Sequence, residues 1–286
     1  MGRRVPKWNQ KKLTARIAQG YGQGRGRNYK PWLLKGDISS KGVTTRLWSP
    51  KTARVHTFFS NVEKCAFLLG EFRADFEDYL EQGPMERELT MEIARELRIS
   101  HPRYWGTKIV AVLTYDGLLF THGKRPQLID CKHSQTELTG RIEEQYALRH
   151  EYARRKEYVI KHVTNESYPW QLIHNLHWIR MSVLQRMHTR VSESDIEVCC
   201  LTLFNELGNA IESSSRQALR EFLKKHDTQR GYVDGLSALA LRRLMWFHHI
   251  SFDLTVYFHD VLRGPVSALR TQAPSHSRVR SLYNDA

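Results

Sequence analysis

The stretch Gly117-Leu-Leu-Phe-Thr121, then Gln127-Leu-Ile-Asp-Cys-Lys132, then a charged run to Glu157 and Tyr158-Val-Ile-Lys-His-Val163, decides the fold. The two short apolar runs read as strands, bounded by the turn-forming His122-Gly-Lys-Arg-Pro126. The run from about Glu137 to Glu157 reads as a long helix, and Tyr158–Val163 as a returning strand. Upstream, Thr107–Thr114 is rich in β-branched residues and predicts a buried strand, which Gly117–Thr121 either continues or meets across a turn. Strands alternating with helices argue a mixed α/β core.

Within this core four residues suggest chemistry. Successive side chains of a strand alternate in direction, so Asp130 and Lys132 project together while Cys131 turns to the core. Asp116 precedes Gly117 at the end of the expected upstream strand, where irregular backbone can aim it at the same place. Glu63 lies in Ser60-Asn-Val-Glu63, which opens a helix that ends near Phe72. An acid, then an acid-x-lysine triplet, suggests a magnesium-dependent phosphodiesterase of the PD-(D/E)xK nuclease type. Carboxylate oxygens suit a hard cation, and the lysine orients water or meets developing charge. On spacing alone other readings stay open: Asp-Gly is a common turn pair, and Ser60-x-x-Glu63 is also a capping-box pattern.

The chain has 286 residues and a formal net charge of +14. Its mean hydropathy is -0.54. That length has room for two domains. No apolar run approaches membrane-spanning length, and no apolar segment follows the charged N-terminus, so neither a membrane span nor a secretory signal is expected. Cys65, Cys131, Cys199 and Cys200 have no metal-type spacing and read as reduced thiols of a cytoplasmic protein.

The positive charge is concentrated. Residues 1–56 carry 14 Lys and Arg against one acid, Asp37, so the remainder is close to balance. This segment reads as a basic arm with loops leading into the core, flexible around Gly20-Tyr-Gly-Gln-Gly-Arg-Gly26, and suited to phosphate backbones. On that reading its DNA-binding cations are Arg3, Arg4, Lys7, Lys11, Lys12, Arg16, Arg25, Arg27 and Lys30, with Arg54 and His56 at its end. Trp8, Tyr21, Tyr29, Trp32 and Trp48 are interleaved with them, free to pack or to stack. The glycine run lacks the spacing of a P-loop or a dinucleotide fingerprint.

Residues 57–168 are assigned to the core, with a further strand at 78–82 and a helix at 86–98. Residues 169–262 change pattern: 170–188, 194–207, 213–226 and 235–248 read as helices, with start signals at Ser192/Ser194 and Asp234. A strand is expected over Ile250–Phe258, and the whole suggests a winged-helix-like domain. Residues 263–286 read as a flexible basic tail. His174-x-x-His177 and His248-His249 read as packing or surface histidines, and Arg242-Arg243 as a phosphate contact or a solvated face.

From Arg16 to Trp178 the chain resembles the TnsA family, endonuclease subunits of heteromeric transposases in Tn-seven-like elements. The likeness runs through Arg16-Ile17, Gly22-Gln23-Gly24, Tyr29, Pro31-Trp32-Leu33, Lys51-Thr52, Arg54-Val55-His56, Ser60, Glu63, Glu81-Gln82, His101-Pro102, Asp116 and Lys132. The resemblance implies a restriction-endonuclease-like core and places the family's catalytic glutamate, aspartate and lysine on Glu63, Asp116 and Lys132. Asp130, an amide in some members, becomes a further catalytic residue, and Glu63, Asp116 and Asp130 the ligands of Mg²⁺, for which Mn²⁺ substitutes. A further family acid, on the following helix, has no clear counterpart: Arg149 lies near that place, between Glu144 and Glu151. The activity implied is hydrolysis of the 5′, non-transferred strands at transposon ends in the bacterial cytoplasm, at the nucleoid. The implied partners are transposon-end DNA, an integrase-type (TnsB-like) transposase and an AAA+ ATPase (TnsC-like) regulator, on which the C-terminal tail docks. Two rivals remain: a stand-alone restriction or repair nuclease, and a non-catalytic DNA-binding adaptor.

Overall fold

The computed structural model describes residues 8–37, 43–132, 134, 140–184 and 191–271, which divide into two units, 1–167 and 168–286. Among the described residues no helix is long and apolar enough to cross a membrane.

The first unit opens with α1 (Gln10–Ala18), capped by the Asn9 side chain, and a hairpin of β1 (Thr45–Ser49) and β2 (Arg54–Phe58). Then come α2 (Asn61–Phe72), β3 (Phe76–Pro84), α3 (Arg87–Glu96), β4 (Thr114–Thr121), β5 (Gln127–Lys132), α4 (Gly140–Arg155) and β6 (Val159–Thr164). The central sheet has the order β3-β4-β5-β6. Its first three strands are antiparallel neighbours, and β6 runs parallel to β5. A parallel pair requires a crossover, supplied here by α4, whose Leu148, Tyr152 and Ala153 pack with Leu80, Tyr115, Leu118 and Leu128 in one core cluster.

Three expectations for this unit are corrected. Thr107–Thr114 is not a strand: the Thr107 hydroxyl donates to the Tyr104 carbonyl and accepts from the Ile109 amide, which uses that backbone in a local turn. Sheet pairing starts at Thr114, opposite Pro84, so Asp116 lies inside β4 rather than at the end of an earlier strand. Nor are residues 8–37 a flexible arm. Trp8, Leu13 and Trp32 form their own buried cluster, with Trp8 stacked on both Trp32 and Tyr104. The glycine run is held as well, since Gly22 and Gly24 take positive φ and the Gly22 amide donates to the Lys30 carbonyl.

The second unit contains α5 (Trp170–Leu184), α6 (Glu193–Glu212), α7 (Leu219–Arg230) and α8 (Leu236–Trp246), with a two-residue ladder of β7 (Ile250–Ser251) and β8 (Arg270–Thr271). A short α9 (Phe258–Arg263) lies between those strands. Ser192 caps α6 through a full capping box with Asp195. The third helix starts at 219 rather than 213, because α6 continues to Glu212 and Ser213 and Ser214 terminate it, the latter at φ 53°. The start of α8 is held by Asp227, which accepts from the Gly235 and Ser237 amides, and not by Asp234. The expected strand over Ile250–Phe258 shrinks to two residues. The tail begins later than expected, since Val266 and Leu269 are buried and 270–271 pair with β7; residues 272–286 lie outside the described residues.

Candidate active site

The β4–β5 ladder pairs Gly117 with Ile129, and beyond it the Cys131 amide donates instead to the Asp116 carboxylate at 2.7 Å. That hydrogen bond ties the acid of β4 to the centre of the Asp130-Cys131-Lys132 triplet. Asp130 and Lys132 share a face as expected, with Lys132 Nζ 3.8 Å from Asp130 Oδ1. Glu63 approaches from the first turn of α2, whose N-cap is the Ser60 side chain. The Glu63 carboxylate accepts from the Phe59 amide, the Ser60 hydroxyl and the Gln82 side-chain amide, at 2.9–3.0 Å. Glu63 therefore serves its helix end and faces the other acids at once.

Electrostatics couple the four residues. Burial, followed by the negative charge of Glu63, pushes the Asp116 carboxyl up to about 7; the Cys131 hydrogen bond and Lys132 oppose this, and Asp130 adds to it. Burial likewise raises Glu63, against its three hydrogen bonds and the charge of Lys132. Between them, Cys131 is an unreactive thiol, pushed far up by burial and then by the three acids.

Asp130 is the most heavily engaged. It is 1% exposed, and β5–β6 register sets it against His162, whose Nδ1 lies 3.2 Å from Oδ2. From α4, Arg149 Nε comes within 3.6 Å of Oδ1. Of these neighbours, His162, 32 residues away, carried no site signal of its own, while Arg149, 19 residues away, stands near the place of the further family acid but brings a cation there. His150 continues the chain, its Nε2 lying 2.9 Å from His162 Nε2. Glu151 turns away to Arg154 and Arg155.

Gln82 is another residue without a local signal beyond its place in Glu81-Gln82. It lies between the pairs Glu81–Gly117 and Gly83–Tyr115, hence opposite Asp116, at φ 49° within a strand. A non-glycine residue in the left-handed region carries strain. Its side-chain amide goes to Glu63, and its carbonyl accepts from Trp32 N–H.

The donor chemistry suits a hard divalent cation: three carboxylates, of which Glu63 and Asp130 both raise the proton affinity of Asp116, a repulsion that such a cation relieves. The ligand set is not closed, however. Among the described residues no three His, Cys, Asp or Glu side chains are close enough to hold a metal ion. Asp130 is turned to Arg149 and His162, and Glu63 already accepts from three donors.

The cations assigned to DNA fall into different classes. Arg54 and His56 are buried, and both pair with Glu81, at 2.7 and 2.8 Å. Arg16 and Lys12 meet Asp37, and Arg16 also donates to the Trp32 carbonyl. Burying a charge is costly unless it is paired, so these side chains answer internal acids rather than facing solvent. Arg25 pairs with Asp78 and lies over the Phe120 ring, and Lys30 donates to the Gln19 carbonyl. Lys11 and Arg27 are exposed, while Arg3, Arg4 and Lys7 lie outside the described residues. Of the aromatic residues, Trp8, Tyr29 and Trp32 are buried core and Trp48 is half exposed.

Comparison with known proteins adds two findings. Residues 169–254 match the family described as TnsA endonuclease C terminal. Over 120 residues the chain is 34% identical to the transposon Tn7 transposition protein TnsA of Escherichia coli, a match covering 42% of this chain and 40% of that relative.

Proposed function

The chain belongs to the TnsA family, and from that premise we propose that it is the DNA endonuclease subunit of a Tn7-type transposase. Its reaction is hydrolysis of the 5′, non-transferred strand at each transposon end. The observation that supports this reading best is that Asp116, bonded to the Cys131 amide, and the Asp130–Lys132 pair lie together where the β4–β5 ladder ends, with the charge of Glu63 acting on Asp116.

Glu63, Asp116 and Asp130 would hold Mg²⁺ or Mn²⁺, which supplies electrophilic charge to the scissile phosphate. Lys132 orients the attacking water and meets charge developing on the phosphate oxygens. Gln82 fixes the Glu63 carboxylate, and the Cys131 amide fixes Asp116. Unit 168–286 is read as the winged-helix-like module that contacts DNA or partners, the integrase-type transposase and the AAA+ ATPase, at the bacterial nucleoid.

The test is strand-resolved cleavage of transposon-end DNA with both purified partners and Mg²⁺, comparing wild type with Asp116→Asn. Nicking of the 5′ strand is expected to fall at least about 10³-fold, while the partner's 3′ cleavage and complex assembly persist. Efficient cutting by the isolated chain would favour a stand-alone nuclease. Unchanged 5′ cleavage by the variant would leave only the adaptor reading.

A further inference from the structure

Trp105 is 88% exposed, more than any other large hydrophobic side chain among the described residues. A fully solvated indole on a folded surface is uncommon and costs solvation energy that a ligand would recover. The loop that carries it is rigidly built. Arg103 and Val110 form an isolated bridge, Tyr104 N–H donates to the Ile109 carbonyl, and Thr107 N–H returns to the Tyr104 carbonyl. Gly106, at φ +70°, makes the turn immediately after the indole. The base is anchored by Tyr104, stacked on Trp8 at 4.5 Å with 9° between the rings, while its hydroxyl accepts from Val112 N–H. Trp105 thus stands on a preformed stalk, which lowers the ordering cost of any contact it makes.

The charge along the loop has one sign. Arg103 and Lys108 flank the indole and are both exposed, and no acid occurs from Arg98 to Tyr115. A flat aromatic face between two cations matches a nucleobase between two phosphates. The loop also leads straight into β4: from Trp105 to Asp116 is eleven residues, at most about 40 Å of chain. On the same scale about twelve nucleotides of one strand rise that far, so loop and candidate site fit within one DNA footprint.

We propose that the loop 103–108 is a DNA-reading finger, in which Trp105 stacks on or wedges against a base while Arg103 and Lys108 hold the flanking phosphates. This rests on the DNA-substrate part of the proposed function and adds a contact outside the acid-lysine cluster. The experiment is equilibrium binding of a labelled transposon-end duplex by fluorescence anisotropy across a salt series, without divalent metal, for the full chain. Trp105→Ala is expected to weaken binding about tenfold with an unchanged salt slope, and Trp105→Phe to recover most of it, because stacking is not a counterion effect. Arg103→Ala/Lys108→Ala is expected to flatten the slope of log K against log salt by about two. Wild-type affinity in Trp105→Ala would overturn the finger, and loss of binding only when a partner protein is present would assign Trp105 to a protein socket instead. If the wild type itself fails to bind the duplex, the DNA-substrate reading falls first, so the two failures are distinguishable.

Discussion

Replacing Glu81 by alanine tests the claim that Arg54 and His56 are structural. Glu81 is fully buried in β3 and accepts from Arg54 Nη1 at 2.7 Å and from His56 Nδ1 at 2.8 Å. Arg54, 7% exposed, keeps its bond to the Tyr79 carbonyl but loses its counter-charge. Removing one partner of a buried pair costs about 3–5 kcal/mol, since the remaining charge stays desolvated. For a unit of 160-odd residues each kcal/mol moves the melting temperature by about 2–4 °C, so the transition of unit 1–167 should fall by about 6–20 °C. Differential scanning calorimetry reads this directly. The effect also has a pH signature. Burial raises the Glu81 carboxyl, but the hydrogen bonds and charges of His56 and Arg54 outweigh it and hold the group below the ordinary value. A carboxylate depressed in the fold stabilises above its unfolded pKa, about 4.3, and loses that contribution as pH falls toward the folded value. The gap between wild type and Glu81→Ala should therefore be full at pH 7 and shrink in acid. A loss below about 1 kcal/mol at pH 7 would falsify the buried network. So would an Arg54→Met variant that keeps its stability but flattens the salt dependence of DNA binding, because that places Arg54 at the DNA surface.

Two further outcomes follow from the same geometry. A Cβ on Gly117 would sit 2.0 Å from the Tyr79 hydroxyl, and that ring is fully buried and cannot swing away; Gly117→Ala should cost about 1–3 kcal/mol in urea unfolding, and a neutral result would show that β3 and β4 are not packed as described. Asp37 is raised by burial but lowered further by Lys12, Arg16 and the Leu34 amide, so its contribution is present above about pH 4 and lost below; hydrogen exchange of α1 should quicken there in wild type and already be fast at pH 7 in Asp37→Asn.

Much of the first unit was legible because its signals are local. The apolar runs Gly117–Thr121 and Gln127–Lys132, the helical run to Glu157 and the strand that follows report their own periodicity, and all appear within a few residues of their expected ends. Ser60 and Glu63 read as a cap because both partners lie in one turn, and Asp130 and Lys132 share a face because a strand repeats every two residues. The misread stretch, Thr107–Thr114, had strand propensity, but its backbone groups are used by the Thr107 hydroxyl in a turn. Propensity is a weak prior where a side chain offers the backbone an alternative partner.

By itself, then, the sequence determined the order of strands and helices in the core, the acid-x-lysine pair on β5, and the concentration of positive charge before residue 57. Only the tertiary structure decided where that charge goes: Arg54 finds Glu81 27 residues away and is buried with it, whereas Arg25 finds Asp78 53 away while its own side chain stays exposed. It also decided that Asp116 sits inside a strand with a strained Gln82 opposite, and that Arg149 and His162 share Asp130. Caps and strand faces depend on neighbours a few residues apart, whereas ion pairs between distant segments depend on sheet order and register, which no local pattern encodes.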